Sequence, residues 1–342
     1  MNNYQLNNYP STPQRTPQFY STQPTDENYE SYTIDYFRGR IAEECIFSAG
    51  RRAILRLFTG TPDQEWVMDE IINIFPQLLP HKGGVTFISN FHAKLQYLSP
   101  KWDDTLFQYY RELLAFPAGY KIFLTLVDSI PHEILPDFTN FVFNKFELMY
   151  DPLMDQLICL LINTAKSNQE LLTPLLNISL YLQDPQKFLV AEALIKLSNL
   201  PIIDQFVDSF LEQKDLLLVD ENLVQVLCTI IANIPEKRVD QLILDYQPRL
   251  AEFAIHPFQW KIIRAFISCC SRSNRHKIAY IIFIPLISSN VSHKDFLLDF
   301  LLKNIDMMER LTLIENNPNI SADNSLPHVI EFIQSLKAIR TY

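Results

Sequence analysis

Two clusters of cationic side chains are the groups in this chain best suited to chemistry, and that chemistry is non-covalent. Arg51, Arg52 and Arg56 crowd one short run, and Arg272, Arg275, His276 and Lys277 form the densest basic stretch. Guanidinium and ammonium groups bind phosphate or carboxylate oxygens, and a guanidinium plane also stacks on a flat ring. Covalent catalysis finds no foothold. The chain has no G-x-S-x-G, no P-loop, no G-x-G-x-x-G and no H-E-x-x-H. His132-Glu133 comes nearest to the last, but Pro136 stands where the second zinc ligand would have to be. Cys45, Cys159 and Cys228 are isolated and Cys269 adjoins Cys270, so neither a C-x-x-C zinc site nor a disulfide framework is expected. The expectation is a protein that is not an enzyme, with no metal and no small-molecule cofactor.

The elements that would position these cations are helices, and they repeat. Counting from Gly50, Gly84, Gly119, Met154, Lys187, Leu223, Gln259 and Lys294, successive steps are 33 to 36 residues. Three, four, seven and eight positions after each anchor the residue is apolar, except at His92. The third position reads Ala53, Phe87, Ile122, Leu157, Val190, Val226, Ile262 and Leu297. The seventh reads Leu57, Phe91, Leu126, Leu161, Leu194, Ile230, Phe266 and Leu301. That spacing is one face of an α-helix. The chain is 48% hydrophobic as a whole, so the columns are not a product of composition. A period of this length predicts stacked helical units, each burying its face against the next. Partner helices lie between the anchored ones, such as the one predicted over residues 63–75 and opened by Thr61-Pro62-Asp63. Proline breaks at Pro100, Pro131, Pro136, Pro152, Pro185, Pro235 and Pro257 punctuate the array about once per unit.

The ends differ from the middle. Residues 1–32 are rich in Asn, Gln, Tyr, Ser, Thr and Pro and almost free of aliphatic side chains, which predicts a disordered tail. Residues 33–342 are read as the helical-repeat domain. After a loop at Asn316-Asn317-Pro318-Asn319, a last helix from about Leu326, with Ser325 as its N-cap, is expected to close the array as its C-terminal cap. A net charge of −10 disfavours undirected attraction to nucleic acid, though a local basic stripe is compatible with it. Six glycines in 342 residues argue against nucleotide-binding folds with Gly-rich turns. The start has no signal-peptide pattern, and the longest apolar run, residues 278–287, is too short to span a bilayer. A cytoplasmic protein is expected, with the nucleus as the other compartment and no membrane partner.

The run Phe47-Ser48-Ala49-Gly50-Arg51-Arg52-Ala53-Ile54-Leu55-Arg56-Leu57-Phe58 resembles the RNA-facing helix of a Pumilio-homology (PUF) repeat. Matching runs begin at His81 and Phe116, and the family's eight units of about 36 residues agree with the number and period seen here. The resemblance covers roughly residues 36 to 340. It implies an all-α, right-handed superhelical solenoid of about eight repeats, of the Pumilio or armadillo kind. It also implies that the anchored helices line a concave surface that takes single-stranded RNA. Each repeat would then read about one base, with side chains one and five positions after the anchor bonding its edge and the side chain two positions after stacking on it.

Carried over position by position, that resemblance selects Arg51, Leu55 and Arg52 in the first repeat, then Val85, Ser89 and Thr86. Tyr120, Leu124 and Lys121 follow, then Asp155, Cys159 and Gln156, and then Phe188, Glu192 and Leu189. The last three sets are Val224, Cys228 and Gln225; Trp260, Arg264 and Lys261; and Asp295, Asp299 and Phe296. No set pairs Asn, Ser or Cys with Gln or Glu in the family's way, and Gln is absent from the fifth position throughout. The expected function is therefore a Pumilio-like RNA-binding protein in post-transcriptional control of mRNA, with non-standard or weakened base readout. Its binding residues would be Arg51, Arg52, Tyr120, Lys121, Gln156, Phe188, Gln225, Trp260, Lys261, Arg264 and Phe296. The competing expectation is an armadillo- or HEAT-like adaptor that holds a protein partner and no RNA, because Val85, Leu189 and Val224 add apolar surface to the aromatic side chains of the same row.

Overall fold

The computed structural model describes residues 29–97, 99–146, 151–166 and 168–306. Among the described residues every regular element is helical. Each anchor falls in the opening turn of a helix or just before it. The eight repeat helices are Ser48–Leu57, Lys82–His92, Pro117–Leu126, Pro152–Ala165, Phe188–Ile195, Glu221–Asn233, Trp260–Cys269 and Lys294–Asn304. The apolar columns face inward as the periodicity requires. All of their side chains are buried except Leu57 and His92, which are half-buried. His92 is tolerated there because its Nδ1 accepts the indole N–H of Trp102 at 3.1 Å, and burial holds its pKa below the usual imidazole value.

The chain divides into two compact units, one ending at Ile122 and the other beginning at Phe123. In the N-terminal unit the first repeat helix packs on the second, while Glu65–Leu78 lies behind them and meets Pro100–Gln108. In the C-terminal unit the repeat helices stack in order. Pro152–Ala165 meets Phe188–Ile195, which meets Glu221–Asn233, then Trp260–Cys269, then Lys294–Asn304. A second layer runs behind this row, where Leu250–Ile255 packs on Arg272–Ser288.

Local sequence explains where these helices begin. Asp151 and Asp220 cap their helices, their carboxylates accepting from Leu153 N at 2.8 Å and Asn222 N at 2.8 Å. Pro152 then occupies the first helical position, where its missing N–H costs nothing. In the first three repeats the anchor is glycine for a steric reason. A Cβ on Gly50, Gly84 or Gly119 would stand 2.2, 2.0 or 2.1 Å from the carbonyl oxygen of Glu44, Leu78 or Leu113, in each case six residues earlier. Gly84→Ala must therefore push two backbone segments apart, and a loss of about 1–3 kcal/mol is expected in denaturant titration. A change below about 0.5 kcal/mol would contradict the contact.

Residues 1–28 lie outside the described residues, but Tyr29, assigned to the tail, is only 4% exposed. Its ring stacks on Phe37 and its hydroxyl donates to Glu44 at 2.5 Å, while Arg56 donates to its carbonyl at 2.7 Å. An aromatic residue with three such partners recovers more than its ordering entropy. The capping helix expected from Leu326 lies outside the described residues. No helix among the described residues is long and apolar enough to cross a membrane.

Candidate recognition grooves

The repeat helices present a row of side chains that their buried columns leave outside. Two positions after the anchor, Arg52, Thr86, Lys121, Gln156, Leu189 and Phe296 are exposed, and Gln225 and Lys261 are half-buried. One position after it the side chains turn inward. Val85, Tyr120, Asp155 and Val224 are buried, Arg51, Phe188 and Trp260 are half-buried, and Asp295 alone is exposed. Five positions after it Ser89 and Glu192 are buried, Arg264 is exposed, and the rest are half-buried.

Each unit carries an open groove along this row. In the N-terminal unit a cleft of about 370 Å³ is lined by Ser48, Arg51, Arg52, Leu55, Lys82, Gly83, Thr86, Phe87 and Asn90. In the C-terminal unit a cleft of about 500 Å³ is lined by Leu124, Gln156, Cys159, Leu160, Asn163, Leu189, Glu192, Ala193 and Lys196. The first is cationic. The second combines aliphatic wall with one acid, one cation and two amides. Glu192 is fixed in that wall, because the Thr229 hydroxyl donates to its Oε1 at 2.6 Å. The thiols on this row are poor nucleophiles: burial pushes Cys159 up to about 11 and Cys228 up to about 12.

Several expected binding residues have structural duties. Tyr120 is fully buried, and its ring packs in the core. Arg51 donates from Nη1 to the carbonyls of Cys45 at 2.6 Å and Ile46 at 3.2 Å, closing the end of the helix Ile41–Glu44. Lys261 pairs with Glu221 at 2.5 Å. Trp260 stacks on His293 with centroids 5.1 Å apart and meets the edge of Phe296 at 5.6 Å. Arg264 lies over Phe296 and Phe300 at 5.6 and 5.7 Å. That leaves Phe296, 49% exposed, as an aromatic surface with a guanidinium already on it. Arg52, Lys121 and Gln156 are exposed, and Phe188 and Gln225 are half-buried.

The basic stretch at 272–277 is a charged helix start engaged within the protein. Arg272 pairs with Asp306, His276 stands 3.8 Å from the same carboxylate, and Arg275 donates to Cys270 O at 3.2 Å. Residue-by-residue reasoning missed Lys82, Asn90, Asn163 and Lys196, which line the grooves from positions outside the three columns. Their only sequence signal is helical spacing, four residues from groove-facing Thr86, Cys159 or Glu192.

No family model matches the chain, and no curated protein matches it. Among solved structures it is similar to PUF-8 in complex with PBE-RNA, with a TM-score of 0.65 at 11% sequence identity over 90% of this chain and 95% of that one. At that identity the likeness is one of fold, and this chain accordingly has the all-α helical-repeat solenoid fold of a Pumilio-repeat protein.

Proposed function

We propose that this protein binds single-stranded RNA along the exposed row of its repeat helices and acts through that binding in post-transcriptional control of mRNA. One observation carries the reading. The column that stays outside, two positions after each anchor, holds Arg52, Thr86, Lys121, Gln156, Leu189, Gln225, Lys261 and Phe296, with no acid among them. Cations, amides and an aromatic ring are the groups that grip a backbone and stack on bases. The acids of the neighbouring columns are partly withdrawn, since Asp155 and Glu192 are buried. The fold shared with a protein solved on RNA supports the same reading. Base-edge readout is weak, because half of the side chains at the first position are buried and the fifth position offers no Gln.

The test is binding to a random single-stranded RNA pool at 50 and 200 mM salt. Affinity is expected to fall steeply between the two, as phosphate contacts require. Absence of binding at 50 mM overturns the reading. A protein-binding role has one specific observation in its favour, the exposed aliphatic side chains of Leu160 and Leu189 in the C-terminal groove. A stoichiometric, nuclease-resistant partner that competes with RNA would favour that role.

A further inference from the structure

We propose that the stacked pair Tyr32 and Tyr36 receives one further base, beyond those met by the eight repeat helices, at the end of the strand next to the first repeat. This rests on the RNA-binding reading above and adds a site that the repeat columns do not contain.

The pair has the geometry of a stacking platform. The Tyr32 and Tyr36 rings lie face to face, with centroids 3.9 Å apart and planes within 3° of parallel. Tyr36 is held by other contacts as well. The Arg40 guanidinium lies over its ring at 4.8 Å, and Phe37 meets it edge-on at 5.2 Å. Phe37 is fully buried, so the stack is rooted in the core. Tyr32 stands at the outer end and is 37% exposed, while Tyr36 is half-buried. A ring whose orientation is already set by its neighbours loses little freedom when another flat ring settles on it. Stacking of this kind accepts any base, because every base has a π-face.

Its position continues the row. Arg56 lies on the exposed side of the first repeat helix, one turn beyond Arg52. It donates to the Tyr29 carbonyl at 2.7 Å, and the Tyr29 ring meets Tyr32 at 6.1 Å and Phe37 at 5.8 Å. Those contacts tie the aromatic pair to the first repeat helix, where the row begins. Two nearby carboxylates are engaged, since Glu44 accepts from the Tyr29 hydroxyl at 2.5 Å and Asp35 pairs with Arg38 at 3.4 Å. Exposure alone is not the argument. Tyr280 is 46% exposed, but it lies on Arg272–Ser288 in the layer behind the row. Continuity with the row favours a base on Tyr32 over a proline-rich peptide, the other common ligand of exposed tyrosines.

The probe is a short random RNA pool with iodouracil at one end only, made in two forms, one for each end, and irradiated on the full chain. Iodouracil crosslinks to an aromatic ring stacked on it, and peptide mass spectrometry identifies that ring. Crosslinking at Tyr32 is expected from one form and not from the other. Tyr32→Leu keeps apolar bulk and removes the ring, so it should weaken RNA binding about tenfold, whereas Tyr32→Phe should bind like wild type. Neither variant removes a charge, so the salt slope of log affinity should be the same in all three proteins. Tyr280→Leu is the control and should change neither affinity nor slope. If RNA binds without a crosslink at Tyr32, if both forms crosslink there equally, or if Tyr32→Leu binds like wild type, the end site is wrong while the RNA reading stands. A shallower slope in Tyr32→Leu would mark a lost phosphate contact and overturn the stacking role. If neither form binds at about 50 mM salt, both readings fall. If Tyr32→Leu abolishes binding of a proline-rich peptide and leaves RNA affinity intact, the pair is a peptide site and the proposal is again wrong.

Discussion

Phe91→Ala is expected to lower the stability of the N-terminal unit by about 3–5 kcal/mol. Phe91 sits at the seventh position of the second repeat and is fully buried. Its ring lies nearly parallel to Phe58 with centroids 4.2 Å apart, and it also meets Trp102 at 5.2 Å and Phe87 at 6.2 Å. Truncation removes the aromatic contacts and leaves a cavity, because the walls cannot collapse. Trp102 is held by its bond to His92, and the backbone behind Gly84 is already at its limit of approach. In a helical array each repeat touches its neighbours only, so the loss should appear first as local opening around the second repeat. Denaturant titration gives the magnitude, and amide hydrogen exchange gives the place. Phe296→Ala removes the same ring from a half-exposed site, so its effect should stay below about 1 kcal/mol. Equal losses at the two positions would mean that the columns do not divide core from surface.

That division was legible in the sequence because it is set locally. A residue three, four, seven or eight positions into a helix faces the same side whatever lies beyond, so Ile88, Leu161 and Phe266 could be placed inside without knowing their partners. The candidate site was less legible because its residues are defined by what lies across from them. Tyr120 and Lys121 are neighbours in sequence, yet one is core and the other exposed. Arg51 looks like a ligand-binding arginine until the carbonyls of Cys45 and Ile46 are placed beside it. The stretch 272–277 looks like a basic patch until Asp306, some thirty residues on, arrives at Arg272 and His276. The glycine anchors were visible, but the carbonyl oxygen that excludes a Cβ belongs to the end of the preceding helix and leaves no trace in composition. Acids and cations summed along the row suggest a neutral groove, whereas burial sorts them by column and leaves the exposed one without an acid.

Asp155 shows what that sorting costs, and Asp155→Asn should make the protein more stable above pH 7 and leave it unchanged near pH 4. The residue is 3% exposed, and its Oδ1 is buried without a hydrogen-bond donor among the described residues. Burial pushes its carboxyl from 3.8 up to about 6. Lys187 opposes that shift, and Asp184 and Asp151 add to it. The sign follows from proton counts. Between pH 3.8 and about 6 the folded chain holds a proton that the unfolded chain has released, so stability falls as pH rises through this window. Above it the full cost of a buried carboxylate is present, with a ceiling of about 3 kcal/mol that screening at the helix's first turn reduces to about 1–2 kcal/mol. Asparagine keeps the shape and removes the charge, so the gain should appear only where the aspartate would be ionised. The competing effect is on Lys187, which is 4% exposed and pairs with Asp184 at 3.8 Å while lying over Phe146. If Asp155 were what keeps that ammonium inside, its replacement would destabilise the protein, most strongly where both groups are charged. Urea titrations of both proteins at pH 4 and pH 8 separate the two. A gain at pH 8 alone makes Asp155 a liability retained on the row of repeat helices, and a loss at pH 8 makes it the counter-ion that holds repeats four and five together.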